Sequence, residues 1–465
     1  MPLNTQTMGR RSCGVLILFT LLLQGCLGMT PAPKPVAPPL PEKLLAAPDL
    51  QTLAVTGSLL DLVQDDTARA LVREAVENNY DLGATALRLK SAGLLLARTR
   101  SARLPKVNAG YTGTRARGAS DDRGRGRHRV SLSMSWELDL WGKLANEHQA
   151  AETGLQVKAL DRDRALDSLA ARVLQAYFRV KGEMLKIRAQ EDRVAVFSGI
   201  EQTILDRYRS GLGDLKDLSS ARSQTETARA DVVTAREAHA RALRDLELLL
   251  GRYPGKALTV GPQWPSVTAP PARLPADILA HRPDVRAARL KAVQAGFVAQ
   301  ARGKALLPGI TLTGNIFRDN AQFGDLGASS TAWDLAGGLL MPLFNGGRLK
   351  AEAQAADLEA RAAGLDYAAV VLGAMKEAEN TLAREAAVAA REVHVKKALD
   401  NARAASRHYE TGYRQGISDI IALNTSREKE IALTLSLIDL NLARLVNRVD
   451  MALALGTGAG LEKEI

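Results

Sequence analysis

Apolar residues recur three and four positions apart through long, proline-free stretches of this chain. Leu166, Leu169, Val173, Ala176, Val180, Met184 and Ile187 form one such seam, which resumes through Leu215, Leu218, Val232, Ala235, Ala242, Leu246 and Leu249 after a break at Gly211 to Gly213. That spacing places one apolar stripe along a helix packed on another helix. Late in the chain, Ile431, Leu435, Ile438, Leu442, Leu445 and Val449 form a similar seam beyond a break at Gly416. Asp66 to Arg103 carries Leu71, Ala75, Val76, Leu82 and Leu89 and predicts one helix, stopped at Pro105. Between the helical stretches the period changes to two. Val130 to Leu140 alternates Val, Leu, Met, Trp, Leu and Leu against Ser, Ser, Ser, Glu and Asp, a strand with one apolar and one polar face. Its eleven residues match a membrane-spanning strand, with Trp136, Trp141 and Tyr111 as candidate interfacial aromatics. A strand covering a soluble core alternates in the same way, so the pattern alone leaves both readings open.

The periodic plan is written twice. YRSGLGDLKDLSSAR, Tyr208 to Arg222, returns 205 positions later as YRQGISDIIALNTSR, Tyr413 to Arg427. Asp81 and Asp284 each stand 24 residues before a proline, Pro105 and Pro308, and Trp141-Gly142-Lys143 corresponds to Gly346-Gly347-Arg348. The expected organisation is a signal peptide at 1–25, a lipidated Pro-rich tether at 26–65, a first repeat at 66–260, a linker at 261–275, a second repeat at 276–457 and a tail at 458–465. In the first repeat, strands are expected at about 105–117 and 128–140 and helices at 143–210 and 214–250; in the second, strands at about 309–318 and 332–344 and helices at 347–412 and 417–455. At 1.5 Å per residue the longest helices reach about 100 Å, and two shorter ones of about 55 Å match one long one end to end. Gly211, Gly213 and Gly416 are expected at hairpin tips, where long helices turn back.

Composition agrees with helices packed through small residues, since only 4% of the chain is aromatic. A formal charge of +11 would allow nucleic-acid binding, but the basic residues are interleaved with Asp and Glu along helical stretches, as on a solvated face. No nucleic-acid partner is expected. The chain opens with Arg10 and Arg11, an apolar run from Val15 to Leu23 that is too short to span a bilayer, and then Leu23-Gln24-Gly25-Cys26. This is a targeting segment whose end resembles a bacterial lipobox, so Cys26 is the expected lipid anchor. Arg115, Arg117, Arg123, Arg125, Arg127 and Arg129 cluster with glycines in the first hairpin loop; stacking aromatics are missing, and an outward-facing loop touching lipid phosphates is the preferred reading, with a merely solvated loop as the alternative. The six His residues include no pair at ligand spacing, and no nucleophile motif or phosphate-cradling loop occurs. No catalytic residue, metal or cofactor is expected.

Four membrane-type strands per chain cannot span a membrane alone, because lipid tolerates no open sheet edge. Two chains would give eight strands filled by their own side chains; three would give twelve and a water-filled bore.

WELDLWGK at Trp136, LPADILAHRPDVRAA from Leu274, MPLFNGGRLKAEA at Met341 and the paired tip motifs resemble the TolC-type outer-membrane factor family. With the lipobox, they are similar to its lipoprotein (NodT-like) branch serving RND-type tripartite efflux systems. The resemblance covers about Asp66 to the C-terminus. It implies a mainly α fold with a β-hairpin pair in a duplicated helix–strand–strand–long helix–helix unit. It further implies a homotrimer with a 12-stranded transmembrane β-barrel in the outer membrane, continued by a periplasmic α-helical tunnel. Its expected partners are a periplasmic adaptor and an inner-membrane RND-type transporter. The expected function is export of small molecules by passive conduction; a type I protein secretion channel and a non-pore coiled-coil lipoprotein are the alternatives. Carried over by position, Asp217 is an acidic residue that pairs with Tyr413, Asp419 lines the constriction, and Asp214 is its counterpart by duplication. Arg414 joins them in the expected periplasmic gate. Three features depart from the pattern: a Trp-rich segment before the first helix is absent between Leu50 and Asp66, Gly83 replaces an Arg, and Leu423 to Arg427 is a less acidic second tip.

Overall fold

The structure, a computed structural model, describes residues 36–39, 41, 44–46, 57–116, 125–255, 261, 263–268 and 275–461. The signal segment, Cys26, most of the tether, and Arg117 and Arg123 of the arginine cluster lie outside the described residues. In chain order the elements are β1 (Val63–Gln64), α1 (Asp66–Asn78), α2 (Tyr80–Ser101), β2 (Lys106–Ala116), β3 (Arg125–Leu138), α3 (Lys143–Arg209) and α4 (Leu215–Leu249). They continue as β4 (Ser266–Val267), α5 (Pro275–His281), α6 (Pro283–Lys304), β5 (Gly309–Asn320), β6 (Ala332–Leu340), α7 (Arg348–Arg414) and α8 (Ile420–Ala454). The duplication is plain in the lengths: α3 and α7 each have 67 residues, and α4 and α8 each have 35.

The chain divides into two units. The first comprises Met1–Ala37, Arg88–Ala159 and Ala287–Ala369. It holds one antiparallel sheet in the order β2-β3-β5-β6, so each hairpin pairs with itself and the hairpins join through β3 and β5. The turn from β3 into α3 is fixed by polar contacts. Asp139 accepts from the amides of Leu144 at 2.9 Å and Ala145 at 2.7 Å, Trp141 Nε1 donates to the Pro308 carbonyl at 2.7 Å, and Lys304 Nζ donates to the Gly142 carbonyl at 3.3 Å. Gly142 and its counterpart Gly347 both take positive φ, 74° and 82°, a conformation that glycine adopts without a Cβ penalty.

The second unit comprises Pro38–Leu87, Leu160–Arg286 and Val370–Ile465. Its core gathers Leu169, Val173 and Val180 of α3, Leu246 of α4, Leu71 of α1 and Val449 of α8. The seam residues Ala176 and Met184 are half-buried against it. Leu215 departs from the expected seam: it is 57% exposed at the start of α4. The single helix expected over Asp66 to Arg103 is two. Asn79 interrupts it by accepting from the amides of Asp81 at 3.0 Å and Leu82 at 3.1 Å while donating to the Leu249 carbonyl at 2.9 Å, a side-chain cap that starts a new helix. The end of α4 presses on this junction at Gly251, where a Cβ would lie 2.2 Å from the Asn78 carbonyl oxygen.

The segment before α1 docks despite lacking tryptophan. Leu59, Leu60 and Val63 enter the core, and β1 pairs with β4. Asp65 caps α1 and also accepts from Tyr177 Oη at 2.8 Å and Lys181 Nζ at 3.1 Å. The chain end is equally committed, because Ala459 and Leu461 are buried and the Leu59 amide donates to the Gly458 carbonyl at 2.8 Å.

Candidate functional site: the sided sheet and the paired hairpin tips

Register decides what the four strands can do. Tyr111 faces Val130, Val130 faces Arg318, Leu132 faces Ile316, and Ile316 faces Trp333. Residues directly opposite in a sheet share a face, so Val107, Leu132, Leu312 and Leu335 lie on one apolar face that runs unbroken across all four strands. The other face carries Asn108, Ser131, Ser133, Thr313, Asn315 and Asp334. The apolar face is open: Trp333 is 74% exposed and Leu335 61%. Among the described residues, strands β2 and β6 are each hydrogen-bonded on one side only. Trp136 Nε1 donates to the Arg103 carbonyl at 3.0 Å, anchoring the helix-side end of the apolar row. On the polar face Arg127 and Arg129 both meet Asp319, and the Arg129 guanidinium lies 4.1 Å from the Phe317 ring centroid.

The tips are built in the second unit. Gly211 and Gly416 share the same φ of 75°, and the turns share their hydrogen bonds. Gly211 N donates to the Tyr208 carbonyl at 3.0 Å and Leu212 N to that of Arg207 at 2.9 Å; Gly416 N donates to Tyr413 at 3.1 Å and Ile417 N to Gly412 at 2.8 Å. A left-handed glycine closing a helix in this way satisfies its last carbonyls. The returning helices are capped alike, Asp214 accepting from Lys216 N at 3.0 Å and Asp419 from Ala422 N at 2.7 Å. The backbone hydrogen bond from Lys216 holds the exposed Asp214 carboxyl below the usual carboxylate range.

A small core joins the two tips: Ile204, Leu218, Ala221, Tyr413, Ile420 and Leu423. Tyr413 is buried there, with the Arg207 guanidinium 5.4 Å from its ring centroid and Arg207 Nη1 donating to its carbonyl at 3.4 Å. Burial pushes the Tyr413 phenol above its ordinary pKa; the Arg207 charge works against that rise and the Asp217 charge adds to it. Among the described residues no hydrogen bond links Asp217 to Tyr413; the cation set over the ring is Arg207, which the repeat motif did not single out. Arg414 pairs with Glu410 on its own helix at 2.7 Å, and Glu410 also pairs with Arg427. A cleft of about 890 Å³ opens between the tips, lined by Arg207, Lys216, Asp217, Ser418 and Asp419 among others.

The HRPDV motif serves the second unit's frame. Arg282 Nε and Nη2 bond both oxygens of Asp284 at 3.0 and 2.7 Å, Nη2 also reaches Glu377 at 2.7 Å, and Nη1 donates to the Ala454 carbonyl at 3.3 Å. Burial would raise the Asp284 pKa, but the guanidinium overrides it and holds the carboxyl below its ordinary value. Arg282 thereby pins the starts of α6 and the end of α8 to α7.

A sheet apolar on one face and polar on the other, supplied in part by each copy, together with helical hairpins closed at capped tips, defines a subunit of a transmembrane β-barrel channel. The chain belongs to the outer membrane efflux protein family, whose model matches residues 71–252 and 274–457. It is 26% identical over 449 residues to the probable outer membrane lipoprotein SilC of Salmonella typhimurium, covering 94% of this chain and 96% of that one. It is 27% identical over 406 residues to the toluene efflux pump outer membrane protein TtgF of Pseudomonas putida, covering 85% and 84%. Among solved structures, the open state of the Neisseria gonorrhoeae MtrE outer membrane channel superposes with a TM-score of 0.76 at 25% identity, covering 90% of this chain and 98% of that one.

Proposed function

We propose that three copies of this chain form the outer-membrane channel of a tripartite efflux pump, through which small molecules leave by passive conduction. The observation that carries the reading is the sided sheet with two unpaired edges. An open edge is not tolerated in lipid, and three copies supply twelve strands, enough for a water-filled bore. Leader removal and acylation of Cys26 would anchor the assembly, in keeping with the lipoprotein description of SilC. The cargo class is small molecules, toluene being the one printed in the name of TtgF.

The tips form the gate. Arg207 stacked on Tyr413 holds the two hairpins together, and Asp214, Asp217, Asp419 and Arg414 set the charge around them. Repeated three times about a narrow bore, such carboxylates focus negative potential and attract cations. A periplasmic adaptor docks on the exposed apolar ends, where Leu212 is 75% and Ile417 79% exposed, and passes on cargo from an inner-membrane RND-type transporter. Competing contacts there would let one hairpin slide past the other. The test is reconstitution of the full chain into planar bilayers. Discrete single-channel steps are expected; a protein that inserts and never conducts overturns the reading.

A further inference from the structure

The arginines around the first hairpin loop are read from sequence as one cluster, but the register separates them. Arg127 and Arg129 stand on the polar face, where Asp319 meets both. Arg115, opposite Gly126, stands on the apolar face. Arg318, from the second hairpin and outside that cluster, shares the same face opposite Val130. Both are exposed. The carboxylate next to Arg318 in the chain, Asp319, points to the other side, so among the described residues the apolar face keeps its positive charge here. Arg318 is also held in place: its Nε donates to Thr331 Oγ1 at 2.8 Å and its Nη1 to the Gly327 carbonyl at 3.5 Å.

Aromatic side chains lie on this face beside the two arginines. Trp333 is one pleat nearer the helices than Arg318. Tyr111 stacks on His128, with Tyr111 Oη 2.8 Å from His128 Nδ1, and Phe323 meets Tyr111 edge-on with centroids 5.6 Å apart. Moving toward the hairpin loops, the face therefore passes from aliphatic to aromatic to basic. An aromatic girdle marks the depth at which hydrocarbon gives way to headgroups, and cations just beyond it meet lipid phosphates. The helices enter at the opposite ends of the strands, so the basic rim is on the loop side, which in such barrels is the cell exterior.

We infer that Arg115 and Arg318 form a binding site on the lipid side of the barrel for the phosphates of an outer-leaflet glycolipid. The inference rests on the channel reading above, since it requires the apolar face to meet lipid. The arginine cluster then has two roles, the lipid-side residues holding phosphates and Arg127 and Arg129 setting charge inside the mouth.

The test uses the full chain in phosphatidylcholine vesicles doped with diphosphoryl lipid A or its dephosphorylated form, with channel activity recorded in the same vesicles. Wild-type protein should retain the phosphorylated lipid through re-extraction. Affinity should fall about fivefold for each arginine lost in Arg115→Gln and Arg318→Gln, and stay near wild type in the double variant Arg127→Gln, Arg129→Gln. Free inorganic phosphate at millimolar concentration should not displace the lipid. Equal retention of both lipids, equal losses in the two sets of variants, or displacement by free phosphate would each overturn the site while conductance leaves the channel standing. A wild-type chain that makes no conductance in either vesicle overturns both readings.

Discussion

At the scale of the residue, the tips explain why glycines sit where they do in each copy. A Cβ at Gly213 would lie 2.8 Å from the Tyr208 amide nitrogen, whereas its counterpart in the second copy, Ser418, is accommodated. The second tip is close elsewhere: at Gly412, the counterpart of Arg207, a Cβ would lie 2.4 Å from Ser418 Oγ. The obstacle at Gly213 is backbone, while at Gly412 it is a hydroxyl that can rotate. Gly213→Ala should therefore cost about 1–3 kcal/mol of local stability and Gly412→Ala less than about 1 kcal/mol, read as the difference in amide exchange at the tips. Equal losses would show that the backbone approach is not the constraint.

The proposed gate is also decided residue by residue. Tyr413 is held by the Arg207 guanidinium over its ring and by burial, not by a hydrogen bond from its phenol to Asp217. Arg207→Ala should raise single-channel conductance or open probability, and Tyr413→Phe alone should leave both near wild type. A large effect of Tyr413→Phe with none from Arg207→Ala would return the gate to the phenol. The two tip motifs were legible in the sequence because glycine and aspartate recur at a fixed offset. Arg207 was not, because its counterpart is Gly412 and the repeat comparison discards unmatched positions. The capping roles of Asp214 and Asp419 follow from the Gly-then-Asp order itself.

At the scale of the element, alternation in Val130 to Leu140 was readable, but a two-residue period does not say which side meets what. Pairing supplies that, by aligning the apolar residues of β3 with those of β2, β5 and β6. Leu132 and Ser133 are neighbours on opposite faces of β3, and they test the assignment directly. Leu132→Arg should destabilise the barrel by about 2–4 kcal/mol, the cost of a cation on a lipid face, and Ser133→Arg should be tolerated while altering ion selectivity. The check is the temperature at which the assembly dissociates on gels; the reverse order would invert the sheet. The division of the first helix at Asn79 escaped the periodicity because a short polar residue caps a helix without interrupting its apolar stripe. Docking of Leu59 to Val63 escaped it as well, since a segment this short has no period to read.

At the scale of the whole molecule, the duplication produces two nearly identical sets of helices, 67 and 35 residues each, from sequences that match at few positions. The differences fall at the frame and at the tips: the core-tying Arg282 has no counterpart arginine in the first copy, where Asn79 starts the corresponding helix, and the tips carry different charges. Two unlike hairpins per chain give a threefold assembly six hairpins of two kinds. Strand number requires more than one chain, because lipid tolerates no open edge, and leaves two or three open; three is what the family resemblance implies, and no local pattern encodes it. The mass of the detergent-solubilised particle from the outer membrane, measured by light scattering with the detergent subtracted, tests that deduction most directly. Three chains per particle are expected; one or two would leave the barrel open or its bore filled by side chains, and would contradict the channel.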